Sequence, residues 1–154
     1  MVERVDAVLQ NRSIHHERAA MFEEVMFYET VEKFTKICHD NSKAKGFWDG
    51  PENDNIPTKI ALIHSELSEM LEAYRKRNPP CDKEMKNHEG KIVPLSILEG
   101  GKLRVLSSMD EEAADVFIRL CDLCGRLNID LARVAMEKHR YNVNREHMHG
   151  GKRV

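Results

Sequence analysis

Apolar residues recur every three or four positions along most of this chain, and that period predicts amphipathic helices. The amino-terminal part divides into a short helix over residues 2–9 and a long helix over 16–39, because Asn11-Arg12-Ser13 interrupts the pattern. Residues 40–57 are rich in Gly, Pro, Asn and Asp, which predicts a loop. The next helix is expected from about Pro57 to Arg77, since proline suits the first helical turn.

The second half of the chain begins with an insertion at residues 79–107 that lacks the helical period. Within it, two apolar segments flank Glu99-Gly100-Gly101, and this arrangement predicts a small β-hairpin. Two further helices are expected, one after Ser108, which pairs with Glu111 in a capping-box pattern, and one after Asp130. The sequence therefore predicts an all-α fold with a four-helix-bundle core, interrupted by the insertion.

The length of 154 residues suits one domain over 1–154. A formal net charge of −2 argues against a broad nucleic-acid-binding surface, and the sequence has no apolar run long enough for a membrane span. The amino terminus is not followed by the apolar run of a signal peptide. We therefore expect a cytoplasmic protein whose four cysteines are reduced thiols.

Two pairs of carboxylates lie on two of the predicted helices. Glu66 and Glu69 are three residues apart and share a helix face, and Glu112 and Asp115 repeat that spacing. Each pair borders an apolar stripe, where unpaired charge is costly unless a cation is bound. Oxygen ligands of this kind suit Mg²⁺. A single acidic pair is most often a solvated helix face, and two such pairs bring the two interpretations near to even.

Basic and aromatic residues supply the remaining candidates. Lys138, Asn142 and Arg145 stack on one face of the last helix, where they can bind phosphate and sugar oxygens or form a solvated charge cluster. Trp48 lies in the polar loop Gly46-Phe47-Trp48-Asp49, where it can cover the core or stack on a base.

Together these residues resemble the MazG-like branch of the all-α nucleotide pyrophosphohydrolases. The resemblance covers residues 45–152 apart from the insertion. It rests on SELSEMLEAYR (65–75), DEEAADVFIRL (110–120) and KHRYNVNR (138–145), with GFWD (46–49) and the terminal HGGK in support. By this resemblance, Glu66, Glu69, Glu112 and Asp115 are the catalytic, metal-binding residues, while Trp48, Lys138, Asn142 and Arg145 contact the substrate.

The resemblance implies a Mg²⁺-dependent enzyme, with Mn²⁺ as a possible substitute, that converts a nucleoside triphosphate or deoxynucleoside triphosphate to its monophosphate and pyrophosphate. Its implied role is housekeeping of the nucleotide pool, and its implied assembly is a homodimer or homotetramer without membrane or nucleic-acid partners. Two alternatives stay open: a non-catalytic helical module that binds nucleotide or another protein, and a related phosphoribosyl-ATP or dUTP pyrophosphatase.

Overall fold

The computed structural model describes the backbone over residues 2–146 and the side chains over residues 21–146. The predicted motif HGGK lies outside the described residues. Five helices make up most of the described chain, namely α1 (Val2–Ala44), α2 (Gly50–Asn53), α3 (Ile56–Arg75), α4 (Ser108–Leu127) and α5 (Leu131–Val143). In this arrangement α4 packs between α1 and α3, while α5 packs on α1. The expected helical class is therefore confirmed.

The first helix is longer than the sequence predicts. Residues 2–44 form one continuous helix, so the expected break at Asn11-Arg12-Ser13 is wrong. These three residues lower helix stability by only a few tenths of a kcal/mol each, which is too little to end a helix without Gly or Pro. The helix also continues past residue 39, and the chain turns at Gly46, where φ is +79°. The expected loop over 40–57 is thus shorter and contains α2.

The helix starts follow local capping chemistry. The side chain of Asn55 accepts a hydrogen bond from the Thr58 backbone N–H, and Pro57 lies in the first turn of α3, as predicted. At α4 the predicted cap is wrong by one residue, because Ser107 and Asp110 form the capping box. The predicted cap of α5 is confirmed, since Asp130 accepts from the Arg133 backbone N–H.

The insertion consists of two small antiparallel sheets. Strands β1 (Glu84–Lys86) and β2 (Ile92–Pro94) form the first, and β3 (Ser96–Glu99) and β4 (Lys102–Val105) form the second. The second sheet confirms the predicted hairpin, with Gly100-Gly101 in its turn at positive φ. The first hairpin was not predicted, because its three-residue strands are too short for a visible alternation.

The buried apolar core is small and lies along α4. Apart from one leucine, its members are cysteine and alanine: Cys38, Ala73, Cys81, Cys121, Leu123, Cys124 and Ala132. The close approach of α1 to α4 depends on Gly125, since a Cβ at this position would lie 2.7 Å from the Cβ of His39. Within the described residues, no helix is long and apolar enough to cross a membrane.

Candidate functional site

Three of the four predicted acidic residues come together between α3 and α4. Glu66, Glu112 and Asp115 each offer a carboxylate oxygen, and these oxygens lie within 4.8 Å of one another. Glu66 is buried, and the other two are half-buried. We call these three residues the acidic group. Their convergence follows from helix geometry, because Glu112 and Asp115 are three apart on the face of α4 that packs on α3.

The acidic group carries more negative charge than its surroundings neutralise. Arg119 Nε lies 2.6 Å from a Glu66 oxygen as an ion pair, although its N–H makes no hydrogen bond. Burial, together with a hydrogen bond with Glu66 and the charge of Glu111, raises the pKa of Glu112 to about 7. Burial also raises the pKa of Asp115. Three converging carboxylates beside one arginine form a site of net negative charge, which a bound cation would neutralise.

The fourth predicted residue, Glu69, lies outside the acidic group. Its side chain is exposed and accepts a hydrogen bond of 3.2 Å from Ser65 Oγ. At 100° per residue, Glu69 is about 60° from Glu66 around α3, which places it in the neighbouring groove between α3 and the start of α4, where its charge contributes to the raised pKa of Glu112. The three carboxylates that do converge are hard oxygen donors and fit Mg²⁺ in kind.

A second polar cluster lies on the same face of α4, and sequence reasoning missed it. Asp122 is buried and accepts hydrogen bonds of 2.7 Å from Ser42 Oγ and 2.8 Å from Trp48 Nε1. His39 Nδ1 lies 2.8 Å from the same carboxylate. We call these four residues the Asp122 network. One feature of the sequence could have indicated Asp122. It follows Asp115 by seven residues, which places the two side chains on the same side of the helix.

Trp48 is positioned by this network and by two basic side chains. Its ring is half-buried, with Lys59 Nζ 4.6 Å and the Arg126 guanidinium 5.7 Å from its centroid. Asp122 therefore holds the indole N–H while the cations lie over its ring. Next to it, a cavity of about 230 Å³ is lined by residues of α1, α3 and α4, including Lys59, Asp115, Arg119 and Asp122. This cavity adjoins both the acidic group and the Asp122 network.

The three predicted residues of α5 lie on another part of the molecule. Lys138 Nζ and the Arg145 guanidinium lie 4.5 and 5.7 Å from the centroid of the Tyr141 ring, and Asn142 is exposed beside them. Because α5 packs on α1, the structure does not bring these residues to the acidic group, which lies between α3 and α4. Their role as substrate ligands stays a prediction.

Comparison with known proteins finds similarity over a limited segment. The chain is 41% identical over 54 residues to a Xenopus laevis protein named Protein BCCIP homolog, and 39% identical over 54 residues to that of Xenopus tropicalis. The match covers 34% of this chain and 18% and 17% of the two relatives, so the chain spans less than a fifth of their length. No family model matches, and no solved structure matches.

These relatives correct the predicted function. BCCIP is the name of an interacting protein, not of a hydrolase. The prediction of a MazG-like, Mg²⁺-dependent nucleotide pyrophosphohydrolase for housekeeping of the nucleotide pool is therefore wrong as the main function, and the alternative of a protein-interaction module is better supported. The resemblance to the MazG-like family itself stays a prediction, since no comparison tests it. That the chain is an enzyme also stays a prediction, because the matched segment covers only 34% of the chain.

Proposed function

We propose that this chain is a helical protein-interaction module whose exposed apolar helix faces bind another protein molecule. The observation that carries the proposal is the exposure of large apolar side chains along the described helices α1, α3 and α5. Large exposed apolar side chains are typical of a surface that another molecule covers.

These exposed apolar side chains lie on three helices of the described chain. On α1, Phe22 is 66% exposed and Met21 64%. On α3 and α5, Tyr74 is 68% and Tyr141 59% exposed. Large aromatic and methionine side chains are enriched at protein interfaces, where their burial contributes most of the binding energy. Contiguous apolar surface beyond a few hundred Å² marks an interaction site on a folded protein.

The arrangement of the helices supports the same proposal. We infer that α1, α3, α4 and α5 form an open bundle, since α4 lies between its neighbours while one side of α3 packs on nothing else in the described chain. A helix with apolar residues on two faces needs two partners. The similarity to BCCIP homologues, whose name denotes an interacting protein, agrees with this function.

Carbene footprinting tests the proposal. The chain is labelled with a photoactivated diazirine, first as purified protein and then in an extract of cells that express it, and labelling of the peptides with Phe22 and Tyr74 is compared with that of urea-unfolded chain. We expect at least one of the two peptides to be protected several-fold in at least one of the two preparations. Labelling at the unfolded level in both preparations would contradict the proposal.

We also propose that the acidic group holds Mg²⁺ as a stabilising ion, because three carboxylates converge there and, among the described residues, Arg119 is the one cation in ion-pair contact with them. The melting temperature should then rise when Mg²⁺ replaces EDTA, since an ion that binds only the folded chain stabilises it. Glu112→Gln should abolish this rise, while Glu69→Gln, outside the group, should retain it. Equal melting temperatures with Mg²⁺ and EDTA would rule out the ion.

A further inference from the structure

A cavity lies between the two hairpins of the insertion. Its volume of about 580 Å³ is within the range of small-molecule binding sites. Its wall is mainly apolar and is formed by Met85, Val93, Pro94, Leu103 and Val105. We call this space the hairpin cavity. Because its lining residues all belong to the segment 85–105, it is separate from the acidic group, from the Asp122 network and from the exposed helix faces.

Strand register explains why apolar side chains converge at this cavity. Met85 is paired with Val93 across the first hairpin, so the two side chains lie on one face of that hairpin. On β4, Leu103 and Val105 are two residues apart and share one face of the second hairpin. Each hairpin therefore contributes one apolar face, and both faces line the same cavity.

The chain bends where the two hairpins join. Val93 and Ser96 both line the cavity, although in a straight strand a separation of three residues would place them on opposite faces. The bend lies at Leu95. Its N–H donates a hydrogen bond of 2.9 Å to the Lys83 carbonyl, and its own carbonyl accepts one of 2.9 Å from the Leu106 N–H. Since these two bonds hold the bend, the cavity is a preformed part of the fold.

Apart from Ser96, the polar residues that line the hairpin cavity are consecutive in the chain. Lys86 ends β1, and Asn87 and His88 follow in the turn to β2. Within the described chain, the lining includes no acidic side chain. The cavity thus combines an apolar wall with a basic group at one end. A few polar groups beside a mainly apolar wall are what orients a ligand in a binding site.

Lys86 is the cation at this end of the hairpin cavity. The neighbouring Lys83 lies 3.5 Å from a carboxylate oxygen of Glu111, and Lys91 lies 3.0 Å from one of Glu89. Lys86, in contrast, forms no ion pair with any of the described residues. An ammonium group beside an apolar wall is complementary to a carboxylate that is attached to an apolar chain.

We propose that the hairpin cavity binds an amphipathic monocarboxylate of the fatty-acid class, with its alkyl chain against Met85 and Leu103 and its carboxylate at Lys86. The apolar wall accounts for the alkyl chain, and the unpaired cation accounts for the charge of the head group. The inference goes beyond the proposed function, since a small molecule bound here uses no surface of α1, α3 or α5.

Methionine-methyl NMR of the full chain tests the site, because Met85 lies in its wall. The Met85 signal is assigned from its loss in Met85→Leu. The chain is titrated with decanoate, decanol and decyltrimethylammonium, each below the concentration at which it aggregates. We expect a saturable shift of the Met85 signal with decanoate, at a dissociation constant about 10-fold lower than that of decanol, and the weakest binding with the ammonium compound. An unchanged Met85 signal, or equal affinity for all three compounds, would overturn the proposal.

Two pairs of variants assign the head group and the wall. Lys86→Gln should raise the dissociation constant of decanoate about 10-fold and leave that of decanol unchanged. Its matched control is Lys102→Gln, which removes a lysine of β4 that does not line the cavity and should change neither constant. Decanoate affinity that is equal in Lys86→Gln and wild type would overturn the assignment of the carboxylate.

Leu103→Glu places a carboxylate in the wall and should abolish decanoate binding. Because Leu103 is 78% exposed, this variant should still fold. Ile97→Glu is its control, since Ile97 is paired with Arg104 and lies on the opposite face of the same hairpin. This control should bind decanoate as the wild-type chain does, and equal binding by both variants would overturn the proposed site.

Discussion

The two sides of α3 have opposite surroundings although they belong to the same 20-residue helix. The inner side carries Glu66 and Ala73, which are buried against α4, whereas the outer side carries Leu71 and Tyr74, which are about half and two-thirds exposed. The inner side is buried by contacts with α4 of the same chain. The outer side carries large apolar side chains without a packing neighbour in the described chain, and this is the surface that the proposed partner protein would cover.

The largest expected effect contrasts a buried leucine of the α4 core with an exposed leucine on the outer side of α3. Leu123 of α4 is 6% exposed and Leu71 is 49% exposed. Leu123→Ala should lower the free energy of unfolding by about 3 kcal/mol, because it leaves a cavity in a small core. Leu71→Ala should change the free energy of unfolding of the purified chain by less than about 0.5 kcal/mol. Urea unfolding measures the free energy of unfolding of both variants. Equal decreases in the two variants would contradict the assignment of Leu123 to the core and of Leu71 to an exposed surface.

A smaller loss is expected from the Asp122 network. Asp122→Ala removes the acceptor for Ser42 and Trp48 and should destabilise the fold by about 2 kcal/mol, since buried donors without acceptors are costly. Trp48 fluorescence should shift to longer wavelength as its ring becomes more exposed. Asp122→Asn, which keeps one carbonyl oxygen, is the matched control and should lose less. An unchanged emission spectrum in Asp122→Ala would indicate that Asp122 does not hold the indole.

The sequence predicted these regions unevenly. The starts of α3 and α5 and the Gly100-Gly101 hairpin were predictable because Pro57, Asp130 and the two glycines act through their own backbone. The continuity of α1 was not, since tertiary packing and length outweigh weak local breakers.

The same difference between local signals and tertiary packing applies to the candidate site. Convergence of Glu66, Glu112 and Asp115 followed from helical spacing, whereas the Asp122 network joins residues 74 to 83 positions apart and depends on how α1 meets α4. Spacing along one helix predicts which residues share a face, but the way in which α1 meets α4 at His39 and Asp122 was not predictable from it.

The smallest expected effect concerns the capping box at the start of α4, the helix that packs on both α1 and α3. Hydrogen bonds from the Ser107 backbone N–H and from Arg104 lower the pKa of Asp110 to about 2. A carboxyl whose pKa is depressed by folding stabilises the folded state above its ordinary value of 3.8, and this contribution is lost as the pH falls toward 2. Asp110→Ala should therefore cost about 1 kcal/mol at pH 7. The difference from wild type should shrink as the pH falls from about 4 through about 2, and a constant difference would contradict the assigned cause.

The central claim is that the outer side of α3 packs on another protein molecule, and carbene labelling of the Tyr74 peptide tests it most directly. This peptide of the wild-type chain should be labelled several-fold less in at least one of the two preparations, purified protein or cell extract, than in urea-unfolded chain, because a bound protein covers Tyr74. Leu67→Glu, which places a charge on this side of the helix, should restore labelling toward the unfolded level. Labelling of the wild-type peptide at the unfolded level in both preparations would contradict the account.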